Sequence, residues 1–166
     1  MPSSIRFYLS LVLLFLPVFG FAWFLAYLIS IGVLVPENHL AYFPWQFFLI
    51  ALFGVVGTVG GVLDWRYHRD PLKLKISKKE REAEAKALGL GGVPMLLLMM
   101  GATVSTRPTW FLVPIIVVLL YTVVAICYDE FVFHIHRCGK TETIFHRMLV
   151  FGNGAAWLAW FHFIFI

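Results

Sequence analysis

The 166-residue chain is 61% hydrophobic and only 13% charged, with a mean hydropathy of +0.86. Soluble domains carry about a quarter charged residues, so this composition argues for an all-α polytopic integral membrane protein. The continuous, non-alternating apolar runs argue against a β-barrel. The net charge of +4 gathers in one segment, which ties it to topology and lipid headgroups rather than to nucleic acid.

A span of about 20 apolar residues crosses a bilayer, and the chain offers about five such runs in one transmembrane domain covering 1–166. The first, residues 5–35, contains Arg6 as its only charge. It has the opening of a signal sequence but is far longer than a signal h-region of 7–15 residues, so it reads as an uncleaved helix bent near Pro17 and Gly20. A short turn with Glu37 and His39 follows.

The second run covers residues 42–63. Tyr42, Phe43 and Trp45 form an aromatic belt at its start. Gly54, Gly57, Gly60 and Gly61 crowd its second half, with Gly57 and Gly61 in GxxxG spacing, a pattern that lets helices approach closely in lipid. It ends in Asp64-Trp65-Arg66-Tyr67-His68-Arg69-Asp70-Pro71.

Residues 66–86 carry eight of the 13 Lys and Arg residues. The excess of positive charge puts this loop, and with it the amino terminus, in the cytoplasm and the carboxyl terminus outside. Residues 78–88 read as a charged surface helix. A third span covers residues 87–106, weakened at its start by Gly89, Gly91, Gly92 and Pro94. A tight turn at Arg107-Pro108 leads to a fourth span, 109–128. A fifth covers 143–166, interrupted by His146, Arg147, Asn153 and His162. The cysteines, Cys127 and Cys138, suggest no disulfide framework.

Residues 128–147 hold three of the six histidines and three of the nine acids. Three acid–histidine pairs at a spacing of four recur along the chain: Asp64/His68, Glu130/His134 and Glu142/His146. On an α-helix, residues four apart share a face. The predicted topology sends all three pairs to the cytoplasmic ends of their helices at similar depth. Isolated pairs of this kind serve as caps and headgroup contacts. Three on one side point instead to a shared metal or proton-handling site, because ionisable groups in membrane spans are functional candidates by default.

Three carboxylates and three imidazoles suit a divalent metal, and a dinuclear iron, manganese or zinc centre better than a closed tetrahedral zinc site. Di-metal helix bundles space Glu and His three apart; here the spacing is four. Asp129, His136, Cys138 and Asn153 are candidate supports around the ligands, the first two as groups orienting ligand imidazoles. His39 and His162 fall at the opposite side. The expected function is a metal-dependent oxidoreductase acting on a lipid-soluble substrate. The competing readings are a small metal or proton transporter or assembly factor, and a haem-binding electron carrier. No nucleotide loop, HExxH motif or dinucleotide fingerprint is present.

Overall fold

The computed structural model describes residues 12–33, 43–69, 78–134 and 139–166. His39, His136, Cys138 and all of residues 70–77, including Lys73 and Lys75, lie outside them, as do the side chains of His68 and His134. Among the described residues there are helices and turns but no strand. The helices are α1 (Leu16–Ser30), α2 (Trp45–Arg69), α3 (Lys78–Lys86), α4 (Val93–Val104), α5 (Leu112–Asp129) and α6 (Lys140–Phe165). Four helical segments are long and apolar enough to cross a membrane: Trp45–Tyr67, Ala87–Val104, Pro108–Val132 and Lys140–Phe165. The bundle therefore fits an integral membrane protein in contact with lipid.

The first expected run, 5–35, contains the shorter apolar helix α1, which is not among the four long enough to cross a membrane. Its helix breaks at Phe15 rather than at Pro17 itself. Pro17 sits in the first turn, where its missing N–H is tolerated. The helix stops at Gly32, which takes the left-handed φ of +80°. There Gly32 N–H donates to the Ile29 carbonyl and Val33 N–H to the Leu28 carbonyl, both at 3.0 Å. Only glycine adopts that φ without a steric cost, so the helix ends at Ser30, five residues before the apolar run does at residue 35.

Two wide π-turns shape the middle of the chain. Ala87–Gly92 joins α3 to α4 without a break in the helical backbone. The glycines and Pro94, expected to weaken this start, are absorbed by the wider turn, which frees the carbonyls that a proline cannot satisfy. Gly91 lies so close to α5 that a methyl group there would come within 2.5 Å of the Thr122 hydroxyl. The second π-turn, Glu130–His134, extends α5.

The backbone of the bundle is the antiparallel pair α2 and α6, which makes its most extensive interface. Gly60 meets the backbone nitrogen of Leu149, and Gly152 meets the backbone of Gly57. A methyl on Gly60 would lie 2.6 Å from Leu149 N, and one on Gly152 would lie 2.5 Å from Gly57 N. No side chain larger than hydrogen fits either place, and such close approach is how helices gain packing energy in lipid. The GxxxG partner Gly61 instead faces Leu14 and Leu149 side chains.

Beyond this seam lies an aromatic core. Trp160 is buried and stacks on Trp157, with ring centroids 5.6 Å apart. Trp23 and Phe24 of α1 approach the same ring at 5.8 and 5.5 Å. The indole N–H of Trp160 donates to Thr103 Oγ1 of α4 at 3.0 Å. That hydroxyl in turn donates to the Met99 carbonyl at 2.7 Å. By contrast α5 turns most of its apolar surface outward.

Candidate metal site

The α2–α6 register sets the site. At one end Gln46 faces His162; in the middle Gly57 faces Asn153 and Gly60 faces Leu149; at the other end Asp64 faces His146. Along α2, positions 57, 60 and 64 follow the alternating three- and four-residue spacing of a packing stripe, as do 142, 146, 149, 153 and 156 along α6. Asp64 and His146 are thus carried into the interface by the periodicity that packs the two helices. Both lie about a turn and a half inside their helix ends.

The imidazole of His146 stands between two carboxylates from different helices. Its Nε2 lies 3.4 Å from Glu130 Oε2, and its Nδ1 lies 4.0 Å from Asp64 Oδ2. The negative charge of Asp129 also reaches the ring. Asp129 is 5% exposed and Glu142 is 0% exposed, whereas the Glu130 side chain keeps 29% of its surface open. A carboxylate in the first turn of a helix is favoured by the helix dipole. Glu142 occupies that place on α6, but complete burial goes beyond what a simple cap requires. Tyr67 closes the neighbouring side with its ring edge-on to Phe145, centroids 6.0 Å apart.

Of the six expected ligands, Asp64, Glu130 and His146 meet across three elements, and Glu142 is buried on α6 one turn before His146. The ion pairs of His146 with Asp64 and Glu130 run between helices; the side chains of His68 and His134 lie outside the described residues. Glu130 and His134 themselves bound a π-turn. Asp129, expected only as a support, is more deeply buried than Glu130.

The two ring nitrogens of His146 point away from each other, so Asp64 and Glu130 do not face one common ion with the ring as placed. Among the described residues, no three His, Cys, Asp or Glu side chains form a group ready to hold a metal ion. Asn153 sits in the seam between α2 and α6. Its amide donates to the Leu149 carbonyl of its own helix at 2.9 Å, and its backbone packs against Gly57. Gly152 is the seam residue that sequence reasoning passed over, while Gly57 and Gly60 were among the crowded glycines already noted. The signal for the register was the 3–4 spacing of Gly57, Gly60 and Asp64.

The opposite end of the seam holds His162. The Gln46 side-chain amide donates to its Nδ1 at 3.0 Å, and Trp45 lies against its ring with centroids 4.8 Å apart. The sequence matches no family model, no curated protein and no solved structure.

Proposed function

We propose that the protein is a membrane metalloprotein that binds a divalent cation at the edge shared by His146 Nε2 and Glu130, with Glu142 and Asp129 completing a carboxylate-rich surround. The observation that carries this reading is the 3.4 Å separation of Nε2 and Oε2. Two ligand atoms bound about 2.1 Å from one ion at a tetrahedral angle lie about 3.4 Å apart. His68 and His134 belong to the same helix ends and are the expected further ligands. A donor set of carboxylates and imidazole suits iron or manganese, and zinc in an open site. The corresponding activity is oxidoreductase chemistry on a lipid-soluble substrate, with iron as the metal, singly or as a pair.

A site at one end of the bundle is favoured over a path along the seam. Between the two histidines, the Gly57, Gly60 and Gly152 contacts leave no room for a methyl group, and hence none for a file of water. The positive-inside rule puts the site on the cytoplasmic face. A second reading, a proton relay, draws on the same ring: carboxylates at both nitrogens give His146 a partner for giving and for taking a proton.

Elemental analysis of protein purified in detergent without added chelator, followed by manganese(II) titration read by electron paramagnetic resonance, separates these readings. Stoichiometric metal that is lost in Glu130→Gln supports the metal site. Metal-free protein that takes up neither manganese nor zinc sinks it and leaves the relay. A Soret band would replace both with haem binding.

A further inference from the structure

We propose that the outer face of α6 holds one anionic phospholipid, with its phosphate between Lys140 and Arg147 and an acyl chain along Phe151, Gly154 and Leu158. The positive-inside rule makes the Lys140 end the cytoplasmic one, the side on which anionic lipids are concentrated. The site lies apart from the proposed metal and does not depend on it.

Lys140, Ile144, Arg147, Phe151, Gly154 and Leu158 follow one another along α6 at alternating steps of four and three residues, the spacing of a single helix face. All six are exposed. Ile144, Phe151, Gly154 and Leu158 each come two positions after a seam residue: Glu142, Leu149, Gly152 or Ala156. Two residues turn a helix by about 200°, so the stripe lies on the side of α6 away from α2. From Arg147 to Leu158 it runs about 16 Å at the helical rise, about half of a hydrocarbon core of roughly 30 Å. It therefore has the length and polarity of one leaflet, with cations at the headgroup end and apolar surface below.

Two features point to a bound lipid. The first is Gly154. Glycine destabilises a helix interior relative to alanine, so its use there calls for something that needs the space. Each other glycine within α1, α2, α4 and α6 would bring a methyl group into contact with a neighbouring element, but at Gly154 nothing lies within 4 Å. The chain itself leaves this notch between Phe151 and Leu158 open.

The second feature is the pair of cations. Among the described residues, neither Lys140 nor Arg147 forms an ion pair with a carboxylate. Lys140 opens α6, at the end where the helix dipole disfavours a cation and favours an anion. Arg147 lies about 10 Å further along the axis. Side chains on a helix lean toward its amino terminus, which carries the Arg147 stem back toward Lys140 and the headgroup level. A phosphate there gains two charged partners, one of them the bidentate fork of arginine.

The other long exposed faces lack this combination. The α5 stripe of Val113, Val117, Leu120 and Val124 has neither cation nor glycine. On α2 the exposed stripe has no glycine, and its cation Arg66 already has a partner. Charge also argues against a second copy on the α6 face. Copies in one membrane share an orientation, and a twofold axis along the membrane normal would set Lys140 against Lys140 and Arg147 against Arg147.

The test is native mass spectrometry of the full chain in detergent with EDTA, titrated with phosphatidylglycerol or phosphatidylcholine of identical acyl chains. The expected result is one tightly held phosphatidylglycerol per chain and weaker phosphatidylcholine. Lys140→Gln and Arg147→Gln should each weaken phosphatidylglycerol binding roughly fivefold, the effect of one cation near an anionic surface, and change phosphatidylcholine binding less. Gly154→Leu fills open space, so it should weaken both lipids alike and leave the melting temperature unchanged. Equal wild-type affinity for the two lipids overturns the proposal, as does a preference that survives the double variant Lys140→Gln/Arg147→Gln. A wild type that is dimeric and a Gly154→Leu variant that is monomeric would assign the face to a second copy and overturn the lipid site.

Discussion

The two ends of the α2–α6 seam use the same side chain in opposite ways. Each end has a histidine of α6 facing a polar residue of α2. His162 receives a neutral amide proton from Gln46 and lies against Trp45. Those neighbours leave Nδ1 already occupied as an acceptor. His146 faces Asp64 and Glu130, with Asp129 nearby. The difference between the two imidazoles lies in partners brought from other helices, not in the histidine itself. The glycine contacts between the ends keep them separate.

The largest effect should come from breaking what joins the two ends. Gly60→Leu forces a side chain into the backbone of Leu149, so the helices must part. Overpacking costs about 1–3 kcal/mol even where a core can shift, and here the opposing atoms are backbone. The variant should lose thermal stability and bound metal together. Gly54→Ala is the control, because a methyl there meets only ordinary contact with Pro17 at 3.7 Å. Equal melting of Gly60→Leu and wild type in a fluorescence size-exclusion assay would refute the seam as described.

Next in size is the difference between the histidines. His146→Ala should lower metal affinity at least a hundredfold, while His162→Ala should leave it unchanged. Metal binding needs neutral imidazole and ionised carboxylate, so protons compete with the metal and affinity should fall as the pH is lowered. Equal metal loss in both variants, measured by isothermal titration, would erase the distinction between the ends.

How much of this was legible beforehand follows from what hydropathy measures. The apolar runs were readable because lipid demands continuous length, and that demand does not depend on tertiary contacts. Helix ends were not readable, since helical backbone continues past the apolar stretch: α2 runs on through Asp64 to Arg69. The gathering of Asp64, Glu130 and His146 followed from topology alone. Their pairing across helices did not, because spacing of four describes one helix, and the register between helices depends on which glycines touch. Hydropathy is equally blind to a π-turn such as Glu130–His134. Asp129 and Glu130 are adjacent acids, and only the turn of the backbone decides which one is buried.

A smaller change sharpens the aromatic end. Trp160→Phe keeps a large ring against Trp23, Phe24 and Trp157 but removes the donor to Thr103. Side-chain hydrogen bonds between membrane helices average about 0.6 kcal/mol and reach about 1.7. Thr103 still donates to the Met99 carbonyl, so no group loses its only bond. The variant should be less stable by about 1 kcal/mol, with metal affinity unaltered. A change in metal binding would mean the two ends communicate through α6 despite the sealed seam.

The smallest expected effect is at Gln46, and it probes whether the far histidine is as inert as its surroundings imply. Gln46→Leu removes the amide that donates to His162 Nδ1 and substitutes an apolar side chain of similar length. His162 lies near the carboxyl end of α6, where the helix dipole favours any positive charge the ring acquires. Freed of the amide, its Nδ1 can accept a hydrogen bond from a water molecule. The loss should therefore be about 0.6 kcal/mol, the average for such a bond, and less if water reaches the ring. Metal affinity should not move, because Asp64 lies about 27 Å from Gln46 along α2 at the helical rise, with the Gly57 and Gly60 contacts between them. A destabilisation above about 2 kcal/mol would exceed any single interhelical hydrogen bond of this class. It would show that the Gln46–His162 contact fixes the register of the seam alongside the glycines, and that the two ends share one structural role before they diverge in chemistry.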